Sequence, residues 1–286
     1  MSKTTLVTGA STGIGLATSI QLAKSGYRVY AGLRNLAKSE GLKKAAEEAG
    51  VQVDIVQLDV TDESSIDAAF GSMGDIDILI NNAGIGGSTP LELTPMDEHR
   101  GMFETNYFGA IACIQKVLPG MRERQHGTIV NITSVAGLHA TPNQVAYSAS
   151  KFALEAAGEA LAHEVIRFGV RIVNVEPGVI MTNIFENSAE ATRYDKTSPY
   201  QPLMRRSGKM YSAGFRRAVQ PIVVAETIQE AIETDEYRLR WPVGEDAVGL
   251  YKGGATVSDE DKVALGGDLS DEEYNARFKE YFDIEL

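Results

Sequence analysis

Strand-like and helix-like stretches alternate four times between Thr4 and Ile80, and this rhythm constrains the fold more than any other feature. The apolar, β-prone runs are Thr4–Thr8, Arg28–Leu33, Val51–Leu58 and Ile76–Ile80. Between them lie helical repeats: one from the first glycine loop to Ser25-Gly26, then Asn35–Gly50 and Asp62–Met73, the last capped by Thr61 or Asp62. The strand runs are apolar enough to be buried on both faces, which predicts a parallel sheet flanked by helices. Crossovers in such a sheet are right-handed, and ligands bind beyond the carboxyl ends of its strands.

The rhythm continues. Pro95–Met121 reads as one long helix despite Gly101 and Gly109, Thr128–Ile132 as a fifth strand, Asn143–Phe168 as a helix and Val170–Val175 as a sixth strand. Residues 183–220 break it, with little periodicity and five basic residues from Arg205 to Arg217. A long insert after a strand's carboxyl end suits a substrate lid. Its basic cluster reads as a solvated helix face, or as a greeting for an acidic substrate. A helix over Ile222–Ile232 and a last strand over Tyr237–Val243 follow. The expected architecture is a doubly wound (Rossmann) α/β fold of about seven parallel strands with helices on both faces. Residues 1–250 would form this dinucleotide-binding and catalytic domain, and 251–286 an acidic C-terminal extension.

Between the first strand and the first helix stands Gly9-Ala-Ser-Thr-Gly13-Ile-Gly15. Glycines permit a sharp turn and let a backbone approach a pyrophosphate, while the helix N-terminus offers N–H groups and the positive end of its dipole. The second strand ends Gly32-Leu33-Arg34, with no carboxylate before Glu40. A carboxylate there would bind a ribose 2′-hydroxyl and repel a 2′-phosphate, whereas arginine pairs with phosphate. NADP is therefore favoured over NAD, with Arg34 as clamp and Ser11 or Thr12 assisting; otherwise Arg34 simply caps the next loop.

Tyr147 and Lys151 lie four apart at the start of a helical run, which puts both on one face, one turn apart. An ammonium beside a phenol favours phenolate, which predicts a Tyr147 pKa lowered towards neutrality. Such a pair is often only a surface contact, so its meaning depends on what else converges on it.

Composition excludes other classes. The net charge of −12 argues against nucleic acid, which needs a basic face. A single cysteine, Cys113, leaves no internal disulfide and fits a reducing compartment. No apolar run is long enough to span a bilayer and no signal segment is read at the N-terminus, so a cytoplasmic location is expected. No metal site is expected.

The glycine loop, Asn81 to Gly84, Ser134 and the Tyr147/Lys151 pair occur together and in order from Lys3 to Val243. In this the chain resembles the single-domain short-chain dehydrogenase/reductase family, and Val29–Asn35 further resembles its NADP-preferring steroid- and retinoid-type members. The resemblance implies that Tyr147 is the acid/base, that Lys151 lowers its pKa and holds the nicotinamide ribose, and that Ser134 donates to the substrate oxygen. It implies that Asn106 perturbs its helix for a proton relay. It also implies that Asp59 and Val60 meet the adenine and that Asn82, Ala83 and Gly84 line the groove. The remaining cofactor contacts would be Gly9, Ser11, Thr12, Gly13, Ile14 and Gly15 at the phosphates, and Pro177, Gly178, Ile180 and Thr182 at the nicotinamide. A homodimer or homotetramer is implied as well.

The expected function is an NADP(H)-dependent oxidoreductase interconverting a hydrophobic secondary alcohol and a ketone. Leu138, His139, Gln144, Ile85-Gly86-Gly87 and Ile184-Phe185 are expected to shape the substrate pocket. The competing readings are a non-catalytic NADP(H)-sensing protein of the same fold, and a nucleotide-sugar epimerase or dehydratase. The complete Asn/Ser/Tyr/Lys set weighs against the first. The glycine spacing and the short tail weigh against the second.

Overall fold

The structure, a computed structural model, describes residues 2–182 and 197–286. Seven parallel strands form one sheet: β1 (Thr4–Thr8), β2 (Arg28–Leu33), β3 (Asp54–Gln57), β4 (Ile78–Asn81), β5 (Gly127–Ile132), β6 (Val170–Pro177) and β7 (Arg240–Val243). Their order is β3-β2-β1-β4-β5-β6-β7. β1 therefore pairs with β2 on one side and β4 on the other. The chain reverses its direction of travel across the sheet at this point, and the loops leaving β1 and β4 diverge to open a crevice.

Consecutive residues of the central strands face opposite layers. Val7, Ile80, Val130 and Val173 join one core, packed on α1 (Gly13–Lys24), α2 (Glu40–Ala49) and α8 (Pro221–Glu233). Leu6, Leu79, Ile129 and Ile172 join the other, packed on α3 (Glu63–Ser72), α5 (Gly109–Arg124) and α6 (Val145–Val165). All eight of these strand side chains are fully buried, which is why the strands read as unbroken apolar runs.

The predicted element limits fail mainly at the edges of the sheet. β3 and β7 each pair on one side only, and their ladders stop at Asp54 and Arg240, short of Val51 and Tyr237. The predicted long helix is continuous but not uniform. α4 (Met96–Phe103) passes through a π turn at Glu104–Phe108 into α5. The predicted Asn143–Phe168 helix starts two residues later, because Asn143 takes a φ of +64°, and it ends in a tighter turn over Ile166–Phe168.

The described part of the insert, from residue 197, is more regular than its sequence pattern suggests. It holds α7 (Gln201–Arg216); residues 183–196, including Ile184 and Phe185, lie outside the described residues. Arg216 and Arg217 of its basic cluster are exposed, as a solvated face requires, whereas Arg205, Arg206 and Lys209 grip the C-terminal segment. Arg205 and Lys209 both pair with Asp271, and Arg206, 7% exposed, donates to the carbonyls of Leu265, Gly267 and Leu269 over the Tyr274 ring. The acidic tail is thus the complement of the basic helix.

α9 (Glu245–Thr256), α10 (Asp259–Ala264) and α11 (Asp271–Phe282) form that segment, so the expected break at 250/251 falls inside a helix. Phe278, Phe282 and Ile284 join Leu250, Ala247 and Val135 in a third apolar cluster. Ser270 and Glu273 close a reciprocal cap at the start of α11. No helix among the described residues is long and apolar enough to cross a membrane.

Phe282 is 1% exposed at the centre of the third cluster. Phe282→Ala should destabilise the protein by about 3–5 kcal/mol, read from the shift of the urea midpoint, because the cavity it leaves is enclosed by helices on several sides.

Candidate active site

The crevice begins at Thr8, the last residue of β1. Its hydroxyl accepts from the amides of Asn82 (3.0 Å) and Ala83 (2.9 Å) at the end of β4. Asn82 returns the contact, its side-chain amide donating to the carbonyls of Thr8 (2.8 Å) and Gly9 (3.1 Å). The two strand ends are thereby tied together at the point where the sheet reverses. The glycine loop then bends over this tie. Gly9 has φ +66°, and a Cβ on Gly15 would lie 2.4 Å from Asn82 Nδ2 and 2.6 Å from Gly9 O. No side chain larger than hydrogen fits there without moving the loop. Thr12 caps α1 without a side-chain hydrogen bond, and no acidic residue stands in the first turn. The helix N-terminus is left open to an anion.

Ser134, Tyr147 and Lys151 converge at the other end of the same crevice. Ser134 leaves β5 in extended backbone and accepts from the Ala136 amide at 3.1 Å, which orients its hydroxyl, and that hydroxyl is hydrogen-bonded to Tyr147. Lys151, 4% exposed, donates from Nζ to the Ile132 carbonyl at 2.9 Å and sits 5.8 Å from the centre of the Tyr147 ring. The electrostatics differ from the sequence expectation. Burial pushes the Tyr147 phenol above its ordinary value, opposed only by the Ser134 hydrogen bond. Burial also pulls the Lys151 amine down to about 8, opposed by the charge of Glu155. Desolvation sets both directions because the two groups share one buried wall, where every charge is disfavoured.

Asn106 stands in the π turn between α4 and α5. Its side chain accepts from the Ile85 amide (2.8 Å) and donates to the Ile85 carbonyl and to Ser150 Oγ (3.0 Å each). The helix is widened where the sequence marked an exceptional asparagine. The side chain pins the loop after β4 to α6, one residue from Lys151.

One cavity of about 930 Å³ runs between these two ends. Of the predicted site residues, Gly9, Ser11, Thr12, Gly13, Ile14, Arg34, Asp59, Val60, Asn82, Ala83 and Gly84 line it. So do Ser134, Tyr147, Lys151, Pro177, Gly178, Ile180 and Thr182. Gly15 and Asn106 do not; they lie behind the wall and shape it. His139, Gln144 and the Ile85–Gly87 stretch line the substrate end as expected, whereas Leu138 does not.

Several lining residues escaped the sequence reading. Lys38 stands with Arg34 at the β2 end. Met204, Ser207, Met210 and Tyr211 come from α7, Leu250 from α9, and Ile284 from the tail. Apolar spacing along α7 was the available signal, hidden by its basic residues. Tyr211 is hydrogen-bonded to Ser88, and burial raises its phenol. Asp246, at the start of α9, accepts from the Val179 amide at 2.7 Å and so braces the turn after β6. His139 packs on Phe282 with 4.8 Å between ring centres. Burial, reinforced by Lys262, lowers its pKa to about 4.

The fold and this crevice define a doubly wound α/β protein with its cavity beyond the carboxyl ends of the strands. The chain belongs to the short-chain dehydrogenase family, whose model matches residues 3–193. Human retinol dehydrogenase 8 is 43% identical over 185 residues, covering 63% of this chain and 60% of that protein's own length. Among solved structures, a short-chain dehydrogenase from Streptomyces avermitilis is 33% identical and superposes with a TM-score of 0.79, covering 94% of this chain and all of that one. A single-substitution variant of actinorhodin polyketide ketoreductase, solved with NADPH, is 30% identical, with a TM-score of 0.73 over 85% of this chain and 95% of that one.

His139 is held neutral in the folded state, with a pKa of about 4 against 6.5 when exposed. As pH falls below 6.5 the unfolded chain takes up a proton that the folded chain refuses, so stability declines down to about pH 4. Thermal melts across this range should show the decline, and His139→Leu should remove that part of it.

Proposed function

We propose that the protein is an NADP(H)-dependent oxidoreductase that interconverts a hydrophobic secondary alcohol and its ketone. The observation that carries this reading is the hydrogen-bonded Ser134–Tyr147 pair, with the Lys151 amine behind it, in the same cavity as an uncapped helix N-terminus and a glycine loop.

The residues present suit a dinucleotide. The loop from Gly9 to Ile14 and the first turn of α1 would hold the pyrophosphate. Arg34, with Lys38 beside it in the lining and Ser11 or Thr12 across the loop, would take the ribose 2′-phosphate. Asp59 and Val60 would border the adenine. Asn82, Ala83 and Gly84 would line the middle, and Pro177, Gly178, Ile180 and Thr182 the nicotinamide end. The dinucleotide supplies the hydride, and the protein must orient the substrate and handle one proton.

Tyr147 is the proton carrier in this reading. Its raised pKa keeps the phenol protonated, ready to give its proton to a carbonyl oxygen. Ser134 donates to the same oxygen, against which charge develops. A Lys151 pKa of about 8 leaves the amine mostly charged at neutral pH and discharges it above, so its attraction for phenolate weakens as pH rises. Asn106 would hold the loop after β4 and the end of a proton path. The apolar wall formed by Ile85, Met204, Met210, Leu250 and Ile284 supports a hydrophobic substrate. The similarity to a retinol dehydrogenase and to an NADPH-bound ketoreductase supports the same assignment. The reading extends to a homo-oligomer through the two long helices, on or beside which Phe108 and Phe152 are exposed.

A steady-state screen of hydrophobic ketones and alcohols, with NADPH and NADH side by side, tests the assignment. Turnover should appear with NADPH, and its absence across the panel would refute the activity. Tyr147→Phe should lower kcat by roughly 10²–10⁴-fold and leave NADPH affinity intact. Arg34→Ala should weaken NADPH binding roughly tenfold or more while NADH binding stays the same, since one charge-assisted contact to phosphate is lost.

A further inference from the structure

One helical turn beyond Lys151, two carboxyl groups are sealed between α6 and the sheet. Glu155 is 3% exposed and Glu176, in β6, is fully buried. Neither lines the cavity. Glu155 meets the Thr133 hydroxyl at 2.6 Å and accepts from Asn174 Nδ2 (2.9 Å) and Arg240 Nε (3.1 Å). Glu176 Oε2 accepts from the Trp241 amide at 2.7 Å, while its Oε1 is buried with no donor, beside the Glu155 carboxyl. Two buried carboxylates side by side repel each other unless a proton lies between them. Arg240 does not neutralise both, since its other arm pairs with Glu159 at the surface. The pair therefore carries one proton and one negative charge.

The surroundings give this pair a purpose. Thr133 immediately precedes Ser134, and Glu176 immediately precedes the Pro177–Gly178 turn. Glu155 shares a helix with Tyr147 and Lys151. The Ser134 turn is seated directly on that helix: a Cβ on Gly137 would lie 3.0 Å from the Lys151 carbonyl and 3.1 Å from Glu155 Cγ. From Asn174 the network runs on to Asn131 (3.1 Å) and Asn81 (3.0 Å), in the middle of the sheet. A charged cluster buried this deeply opposes folding unless its charges are paired, and one proton between the two carboxyls supplies the partner that Glu176 Oε1 otherwise lacks.

We propose that Glu155 and Glu176 are positioning residues that lock the ends of β5 and β6 against α6. They thereby set Ser134 and the Pro177–Gly178 turn relative to Tyr147 and Lys151. This rests on the activity proposed above. The device differs from the proton path through Asn106, because the pair has no face on the cavity and acts only through the elements it joins.

The shared proton has a pH signature. The charged groups facing it are Lys151 and Glu159 from α6 and Arg240 from β7, besides Glu155 itself. Burial, and then the charge of Glu155, push the Glu176 carboxyl up to about 9. Its folded value lies above its unfolded one, so the stability it contributes is present at low pH and is lost as pH rises towards 9. Glutamine at this position keeps the hydrogen bond to Glu155 without a proton to lose.

Three variants test the proposal, each compared with the wild type by kcat, NADPH affinity and thermal stability against pH. Glu176→Gln should keep the wild-type kcat and lose the decline in stability between pH 4.5 and about 9. Glu155→Leu should lower kcat by roughly ten- to a hundredfold, the cost of a misplacement of about 1 Å, with NADPH affinity unchanged. Should that variant not fold, Thr133→Val cuts the link to the Ser134 strand and should lower kcat in the same way. A folded Glu155→Leu or Thr133→Val protein with wild-type kcat overturns the positioning role, as does a Glu176→Gln protein that loses as much rate as Glu155→Leu. A Glu176→Gln protein with the wild-type pH slope overturns the shared proton. Absence of turnover in the wild type refutes the activity instead, and the pH slopes then still decide whether the proton is shared.

Discussion

The hydrogen bonds between Thr8 and the Asn82-Ala83 amides are the contact on which the rest of the crevice depends. Adjacent parallel strands whose following chains run to opposite faces leave a gap beyond their ends. Thr8 and Asn82 close the floor of that gap while leaving its mouth open. The glycine loop is built on this floor, since Asn82 holds the carbonyls of both Thr8 and Gly9. From the floor, the cavity extends towards β5 and β6, whose ends carry Ser134 and Pro177–Gly178. A polar tie two residues wide thus sets how the glycine loop meets the rest of the cavity.

Burial governs the electrostatics of the site more than pairwise attraction does. Tyr147 is raised, and Lys151 and His139 are lowered, and in each case desolvation is the largest cause. All three groups are thereby held closer to their neutral forms. A site of that kind keeps the phenol protonated and the histidine uncharged. It also makes the charge state of the lysine sensitive to whatever charged group enters the cavity.

The C-terminal segment has a structural role that its composition conceals. Its acidic residues suggest a solvated tail, yet Asp271 meets Arg205 and Lys209, and Phe282 and Ile284 are buried. Arg205 and Lys209 of α7 pair with Asp271 of the tail across a distance in sequence that no local pattern reveals. The result is a pocket wall assembled from the Ser134 turn, α7, α9 and the last residues of the chain.

Much of this was legible in the residues themselves. Alternating apolar runs and helical repeats determine the sheet, its parallel sense and its two covering layers, because burial on both faces leaves no other pattern. Gly9-Ala-Ser-Thr-Gly13-Ile-Gly15, Ser134 and the Tyr147/Lys151 spacing mark the cavity, because glycine where no Cβ fits, and two side chains one turn apart, are local properties. Asn106 was legible as an exception but not as a π turn. Tertiary structure alone decided the limits of β3 and β7, which depend on how far one neighbour reaches. It alone decided the partners of the basic cluster, and the contribution of Tyr211, Asp246 and Ile284 to the cavity. It also reversed the expected direction of the Tyr147 pKa. Charge spacing is written along a helix, whereas desolvation depends on what the rest of the chain packs around it.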